Sequence, residues 1–407
     1  MEPHPDDPEA RRALEDLDAL LDQLPWARKV VNQLRELQEL MVHRRPPRLA
    51  AIGRRGCGKS SLANAFLGRE LLPVGLVEDT TQEALWADLM VSGRALRWLD
   101  TPGLRAGASP TRLTQVTEAL LREPPDVVLA LFRATQVDAS IDDDLSDVRD
   151  ILERLKARRV TPRLLAVVTR VDELLPRERR APPYEDEAKA TVLHAADTLR
   201  EHLKRRDLAA SEVVPVCTWQ RFQDGERVTD WRWNLEALAR AVGAVLPRPA
   251  QVELARAAEQ AHALRRSLAM RYVKTATGLS FLVGATTLPI ADLALLLPLQ
   301  TTMVTWILYV SGKPLGPRSV SEWLAALGVN LGAGVGLREG VRALLKLVPG
   351  LGAAVSGGVA ATGTWALGIA AVRYFIDNRP LAEVRRDFEA AGREGPPEEG
   401  TSAPPGT

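Results

Sequence analysis

Between Leu49 and Val245 short apolar runs alternate with amphipathic stretches of helical length. Leu49–Ile52, Ala84–Val91, Ala95–Leu99, Val127–Phe132, Leu164–Val168 and Val213–Val216 read as strands. Lys59–Leu67, Thr111–Leu121, Ile141–Lys156, Tyr184–Leu203 and Trp233–Val245 read as helices. Alternation of this kind predicts an α/β unit, a mainly parallel six-stranded sheet with helices on both faces. Only Ser92–Arg94 separates the second and third runs, too little chain for a crossover, so that pair is expected to be an antiparallel hairpin.

The flanks follow other patterns. From Pro8 to Val42 apolar residues recur at helical spacing (Leu14, Leu17, Leu24, then Leu34, Leu37), with Pro25 dividing two helices. Pro46 and Pro47 then mark a linker, because consecutive prolines do not continue a helix. After Pro247 and Pro249 comes a long helical stretch, Gln251–Lys274. Thr275–Ala291, Leu293–Gly312 and Leu347–Val372 carry no charged residue, and the last is rich in Gly and Ala. Arg373–Ala391 reads as a closing helix, and 392–407 as a disordered tail. The expected domains are 1–46 (N-terminal helices), 47–247 (the α/β unit), 248–391 (a separate all-α domain) and 392–407.

Pro289, Asp292 and Pro298 argue against one simple transmembrane span over Phe281–Val310, and Asp292 reads as a helix cap. Leu347–Val372 is long enough to span, since about 20 residues suffice. Gly358, Gly363, Ala354 and Ala361 there permit close backbone approach. Three readings stay open: a packed soluble helical core, a membrane-inserted or re-entrant hairpin through 275–312 and 347–372, and a surface that exchanges between them.

Composition narrows the partners. With 407 residues, 46% of them hydrophobic, the chain can bury a sizeable core in two or three domains. Lys+Arg 53 against Asp+Glu 52 leaves a net charge of +1 and no bulk field to attract nucleic acid, which is not an expected partner. Cys57 and Cys217 are the two cysteines, and Cys57 falls inside a glycine-rich loop where a crosslink would obstruct a ligand, so a reducing compartment is expected. Met1–Asp18 lacks the basic start and apolar run of a signal peptide, and a cytoplasmic location is expected, with the inner face of the cell membrane as its extension.

Gly53-Arg54-Arg55-Gly56-Cys57-Gly58-Lys59-Ser60 fits G-x-x-x-x-G-K-[ST] and lies between an expected strand and an expected helix. In such a loop backbone N–H groups converge on phosphates, Lys59 reaches the β- and γ-phosphates, and the Ser60 hydroxyl ligates Mg²⁺, with Ser61 next in the same turn. Asp100-Thr101-Pro102-Gly103 closes another strand: the carboxylate suits Mg²⁺ through water, and the Gly103 N–H suits a γ-phosphate. Thr169-Arg170-Val171-Asp172 ends a third. A carboxylate there accepts hydrogen bonds from guanine N1 and N2, which adenine does not offer, while the Arg170 stem covers the base.

In this order the three motifs resemble those of Era-like GTPases, within the translation-factor class of P-loop proteins. The resemblance covers about Leu49–Val245 and implies a GTP/GDP and Mg²⁺ site with GTP hydrolysis. It implies that a threonine in Gly75–Glu83 closes on the metal and γ-phosphate, Thr81 matching best and Thr80 next, so that Lys59, Thr81 and Gly103 carry catalysis and Ser60, Thr81 and Asp100 the metal. It further implies that Cys217-Thr218 contacts the base.

Several positions depart from the pattern. Thr169 stands where Asn is commonest, and Leu104 stands where Ras-like proteins carry the water-orienting glutamine, so hydrolysis is expected to be slow without an activator protein or homodimerisation. Gly56 replaces the asparagine of potassium-activated relatives. Arg55 reads either as a solvated loop arginine or as a cation leaning on the γ-phosphate. An ATPase, motivated by Thr169, and a nucleotide-gated membrane scaffold with negligible hydrolysis are the competing functions. The C-terminal region resembles a domain of unknown function that accompanies Era-like GTPases, including inner-membrane relatives; the matching residues are Pro289–Asp292, Leu296–Met303 and Lys346–Gly352. That likeness implies membrane association. It lacks the basic G-x-x-G loop of an RNA-binding KH module.

Overall fold

The computed structural model describes residues 45–72, 84–91, 94–104, 110–138, 141–284, 291–313, 319–327 and 357–394. The expectations for Pro8–Val42, Gly75–Glu83 with Thr80 and Thr81, Pro289 and Ile290, Lys346–Gly352, Ala354 and 395–407 of the tail lie outside these residues, while 392–394, expected in the tail, are helical. Arg44–Arg265 forms one compact unit, and the described residues from Arg266 onward belong to another.

In the first unit β1 (Arg48–Gly53), α1 (Lys59–Leu67), β2 (Leu85–Val91), β3 (Arg94–Asp100), α2 (Pro110–Arg122), β4 (Val127–Arg133), α3 (Ile141–Ala157), β5 (Arg163–Thr169), α4 (Asp186–Arg205) and β6 (Val213–Pro215) follow in order. They build a six-stranded sheet in the order β2-β3-β1-β4-β5-β6. Every pairing is parallel except β2 with β3, the antiparallel hairpin that the short Ser92–Arg94 connection requires. Ala50, Ile52, Val128, Ala130, Phe132, Ala166 and Val168 enter one core cluster. The residues alternating with them, Leu49, Ala51, Leu129, Leu131, Leu165 and Val167, are equally buried. Both faces are therefore covered, which is why these strands read as unbroken apolar runs.

A second, two-stranded sheet follows: β7 (Gln220–Gln223) and β8 (Glu226–Asp230), antiparallel. It is absent from the strands expected above. Its signal was present, since Asp224-Gly225 joins two segments of alternating polarity and both residues take positive φ, 53° and 80°. Helices α5 (Leu235–Val245) and α6 (Arg248–Ala257) complete the unit.

The expected continuous helix Gln251–Lys274 is two helices, α6 and α7 (His262–Gly284). The interruption has a tertiary cause: the Glu259 N–H donates to Phe66 O at 3.0 Å, and its carboxylate accepts from Arg227 and Arg232. Those bonds outweigh the helical propensity of the surrounding alanines.

Beyond Arg266 the described elements are helices: the remainder of α7, then α8 (Ala291–Ser311), α9 (Ser319–Ala326), α10 (Gly357–Phe375) and α11 (Leu381–Glu394). Val273, Leu279, Met303, Ile307, Trp323, Leu367, Phe375 and Val384 share its core. Asp292 lies in the first turn of α8. Gly368, and not Gly363, is the glycine of close approach: a Cβ on Gly368 would stand 2.6 Å from Val273, whereas one on Gly363 meets nothing within 4 Å. The expected closing helix Arg373–Ala391 is broken as well. Arg373–Phe375 ends α10, Asn378 takes φ 54°, and the chain re-enters a helix after Pro380. Ser280, Gln300 and Thr364 form a buried hydrogen-bonded triad across α7, α8 and α10. Among the described residues no helix is long and apolar enough to cross a membrane.

Candidate functional site

The loop from Gly53 to Gly58 joins the C-terminal end of β1 to α1. Gly53 has φ 150°, and a Cβ there would lie 2.4 Å from Leu131 O on the neighbouring strand. Gly58 caps α1 in the left-handed region, φ 92°. Glycine is needed at both positions for backbone reasons alone. Gly53→Ala should lower unfolding free energy by about 1–3 kcal/mol, read as a shifted urea midpoint at constant slope.

Lys59 is buried, and its Nζ donates to Gly53 O and Arg54 O at 3.1 Å each. The ammonium is thus folded back over the loop, beside the N-terminal N–H groups of α1. A cation at that place is an anion-binding arrangement. The Ser60 hydroxyl donates to Asp100 Oδ2 at 2.7 Å. Parallel pairing of β1 with β3 sets Asp100 opposite Ala51, which brings it to the loop. A hydroxyl and a carboxylate oxygen so close are hard donors of the kind Mg²⁺ takes, with its remaining positions left to water and phosphate. Ser61 lies beside them on the partly buried side of the helix.

The segment after β3 is bound to the loop itself. Thr101 Oγ1 donates to Ala51 O at 2.7 Å, Leu104 N to Gly53 O and Arg55 N to Leu104 O, both at 3.1 Å. Arg112 NH1 holds Gly103 O at 2.8 Å. A Cβ on Gly103 would stand 2.5 Å from Arg55 Cα, so this glycine permits the two backbones to touch. Gly56, φ 74°, is exposed, as is Arg55. Arg54 is turned toward the first turn of α3, where it pairs with Asp144; burial raises the Asp144 pKa against the pull of that arginine.

On the other side of the loop, β5 delivers Thr169 and Asp172. Thr169, fully buried, donates from Oγ1 to Cys57 O at 2.6 Å, tying the two segments together. Arg170 takes φ 56°, and its guanidinium donates to Glu173 at 3.0 Å. Asp172 is buried, and the Cys217 thiol donates to its Oδ1 at 3.4 Å. Burial raises the Asp172 carboxyl, and burial beside that carboxylate pushes the Cys217 thiol up to about 12. Both cysteines are free thiols. Gly58, Arg170, Asp172 and Thr218 line one cavity of about 620 Å³, within the usual span of ligand sites. Its far wall is Trp219, Phe222 and Trp231, which the sequence reading missed together with the hairpin that carries them.

The structure brings Gly53–Ser61, Asp100, Gly103, Thr169, Arg170, Asp172, Cys217 and Thr218 around the C-terminal ends of β1, β3, β5 and β6. Thr81 falls outside the described residues. A G-x-x-x-x-G-K-S loop after β1, a D-x-x-G segment after β3 and a buried carboxylate after β5, on a sheet ordered β2-β3-β1-β4-β5-β6, make up a P-loop GTPase fold.

Residues 48–169 match the family described as 50S ribosome-binding GTPase. The tRNA modification GTPase MnmE of Salinibacter ruber is 31% identical over 182 residues, which cover 42% of this chain and 38% of that protein. GTPase Der of Salinispora tropica is 33% identical over 125 residues, covering 30% and 25%. The chain thus spans well under half the length of these relatives. Among solved structures, Era in complex with MgGDPNP and a segment of 16S ribosomal RNA is 22% identical, covering 50% of this chain and 58% of that one with a TM-score of 0.35. Toc33 from Arabidopsis thaliana with GDP and Mg²⁺ is 16% identical, covering 56% and 92% with a TM-score of 0.37.

Proposed function

We propose that the Arg44–Arg265 unit binds GTP with Mg²⁺ and hydrolyses it slowly to GDP and phosphate, as a switch whose state is passed to the helical unit. The observation that carries this reading is the convergence of Lys59, the Ser60–Asp100 pair and Asp172 on one loop. In this account Lys59 exchanges the carbonyls of Gly53 and Arg54 for phosphate oxygens. Asp172 accepts from guanine N1 and N2, the Arg170 stem covers the base, and Cys217-Thr218 closes its edge. Ser60 and Asp100, with Thr81, hold Mg²⁺, which supplies charge neutralisation on the phosphates. The Gly103 N–H meets the γ-phosphate once the backbone bonds between Leu104 and the loop open. Helix α7, which begins in the first unit and ends in the second, is the covalent route by which that motion reaches the helical unit. A membrane or a protein partner then reads the helical unit; cell fractionation with a salt wash tests the membrane half, and recovery wholly in the soluble pool contradicts it.

Slow turnover follows from Leu104. Its side chain is 2% exposed within the core cluster of the sheet and has no polar atom to orient water. A glutamine there would enter the core. Leu104→Gln should therefore leave hydrolysis no faster and lower stability by about 1–3 kcal/mol, checked by urea unfolding alongside turnover. Single-turnover phosphate release from GTP, with Mg²⁺ and with excess EDTA, tests the proposal as a whole. Release that requires Mg²⁺ is expected. No release above buffer in either condition would leave a nucleotide-gated scaffold without catalysis.

A further inference from the structure

We propose that the β7–β8 hairpin is a built wall of the nucleobase pocket and that Trp219 contacts the bound nucleotide. This rests on the guanine-nucleotide reading above.

The hairpin is a direct continuation of the Cys217-Thr218 loop. Cys217 and Trp233 exchange backbone hydrogen bonds at 3.2 and 2.9 Å, Trp231 N donates to Trp219 O at 2.9 Å, and the ladder proceeds through Gln220 opposite Asp230. The residues expected at the base and the residues of the hairpin therefore share one backbone ladder. Trp231 packs on the core of the sheet, and Trp219 leans on Trp231 with ring centroids 4.5 Å apart. Trp219 is left 43% exposed while lining the cavity that holds Asp172. A large indole so placed, supported behind and open in front, is a ready stacking surface, since aromatic rings and nucleobases stack independently of base identity. Gln220 lines the same cavity, and its buried side-chain oxygen has no hydrogen-bond partner among the described residues, which leaves an acceptor at that wall.

The hairpin is also fixed from below. Arg232, 3% exposed at its side chain, holds Asp230 at 2.7 Å, Glu259 at 2.5 Å and Ala65 O at 3.1 Å. Arg227 holds Gly68 O at 2.7 Å and Glu259 at 2.8 Å. Three separate segments, the end of α1, the hairpin and the α6–α7 connection, are tied by these two guanidinium groups. The wall therefore exists before any ligand arrives, and binding does not bear the entropy of ordering it. The expected contribution is to affinity for the base moiety and not to the phosphates or to guanine selectivity, which belongs to Asp172.

The 407-residue chain and its Trp219→Ala and Trp219→Phe variants are titrated calorimetrically with GDP and separately with pyrophosphate. Trp219→Ala should weaken GDP about tenfold and leave pyrophosphate unchanged, because only the base reaches the hairpin. Trp219→Phe should bind GDP within about threefold of wild type, since a phenyl ring preserves the stacking face, while the GDP-dependent change in tryptophan emission is diminished. Equal GDP affinity in wild type and Trp219→Ala, equal weakening of both ligands, or an undiminished emission change in Trp219→Phe overturns the proposal. A wild-type protein that binds neither GDP nor pyrophosphate removes the nucleotide reading first, and the wall with it.

Discussion

Lys59→Ala should reduce single-turnover phosphate release from GTP by about 100-fold or more, the range found when one preorganised donor to developing negative charge is removed. The side chain is buried, and its ammonium donates to the carbonyls of Gly53 and Arg54, both belonging to the loop. Among the described residues no carboxylate pairs with it, so its charge is available to a phosphate. Removing it leaves two carbonyls without this donor but disturbs no apolar packing, so the thermal midpoint should move little. The measurement is phosphate release at a fixed, saturating nucleotide concentration, with circular dichroism confirming the fold. Release equal to wild type would separate any observed hydrolysis from this site.

Asp172→Asn should weaken GDP by about 100-fold or more and create affinity for xanthosine diphosphate. Guanine presents two donors, N1–H and the 2-amino group, to the carboxylate. Xanthine presents one donor and a carbonyl, which an amide satisfies in full. Sites that hydrogen-bond a ligand reject the mismatched analogue strongly, because a buried polar group is left unpaired. The same residue sets a pH dependence. Burial holds the Asp172 carboxyl above the ordinary aspartate range in the free protein, and the Cys217 thiol only partly opposes this. Protonation removes the acceptor, so GDP affinity should begin to fall, on acidification, at a higher pH than for an ordinary aspartate. Competition of labelled GDP by xanthosine diphosphate, repeated across pH, reads both effects.

The helices and strands that position the site were legible because each carries a strong local signal. The β1 run, the glycines at 53, 56 and 58 and the start of α1 at Lys59 agree with one another before any tertiary contact is considered. Asp172 is singled out by its order along the chain, after the two earlier motifs. What escaped was set by contacts distant in sequence. The break before His262 arises from Glu259 bonding to Phe66, Arg227 and Arg232, none of which a local pattern connects to it. The burial of Leu104 follows from its backbone bridge to Gly53 and Arg55. The β7–β8 hairpin is a different case: Asp224-Gly225 announced it, and short polar strands between two stronger elements concealed it. In the helical unit the glycine that matters is chosen by Val273 across the interface with α10, which helical spacing alone does not distinguish from its neighbours.

The central claim, a guanine nucleotide held by Gly53–Ser60 and selected by Asp172, is tested most directly by equilibrium competition. Fluorescent GDP bound to the 407-residue chain in the presence of Mg²⁺ is challenged with excess unlabelled GDP, GTP or ATP. GDP and GTP should displace it completely, and ATP should leave it bound. Displacement by ATP at the same concentrations as GTP, or no binding of the labelled GDP at all, would contradict the account.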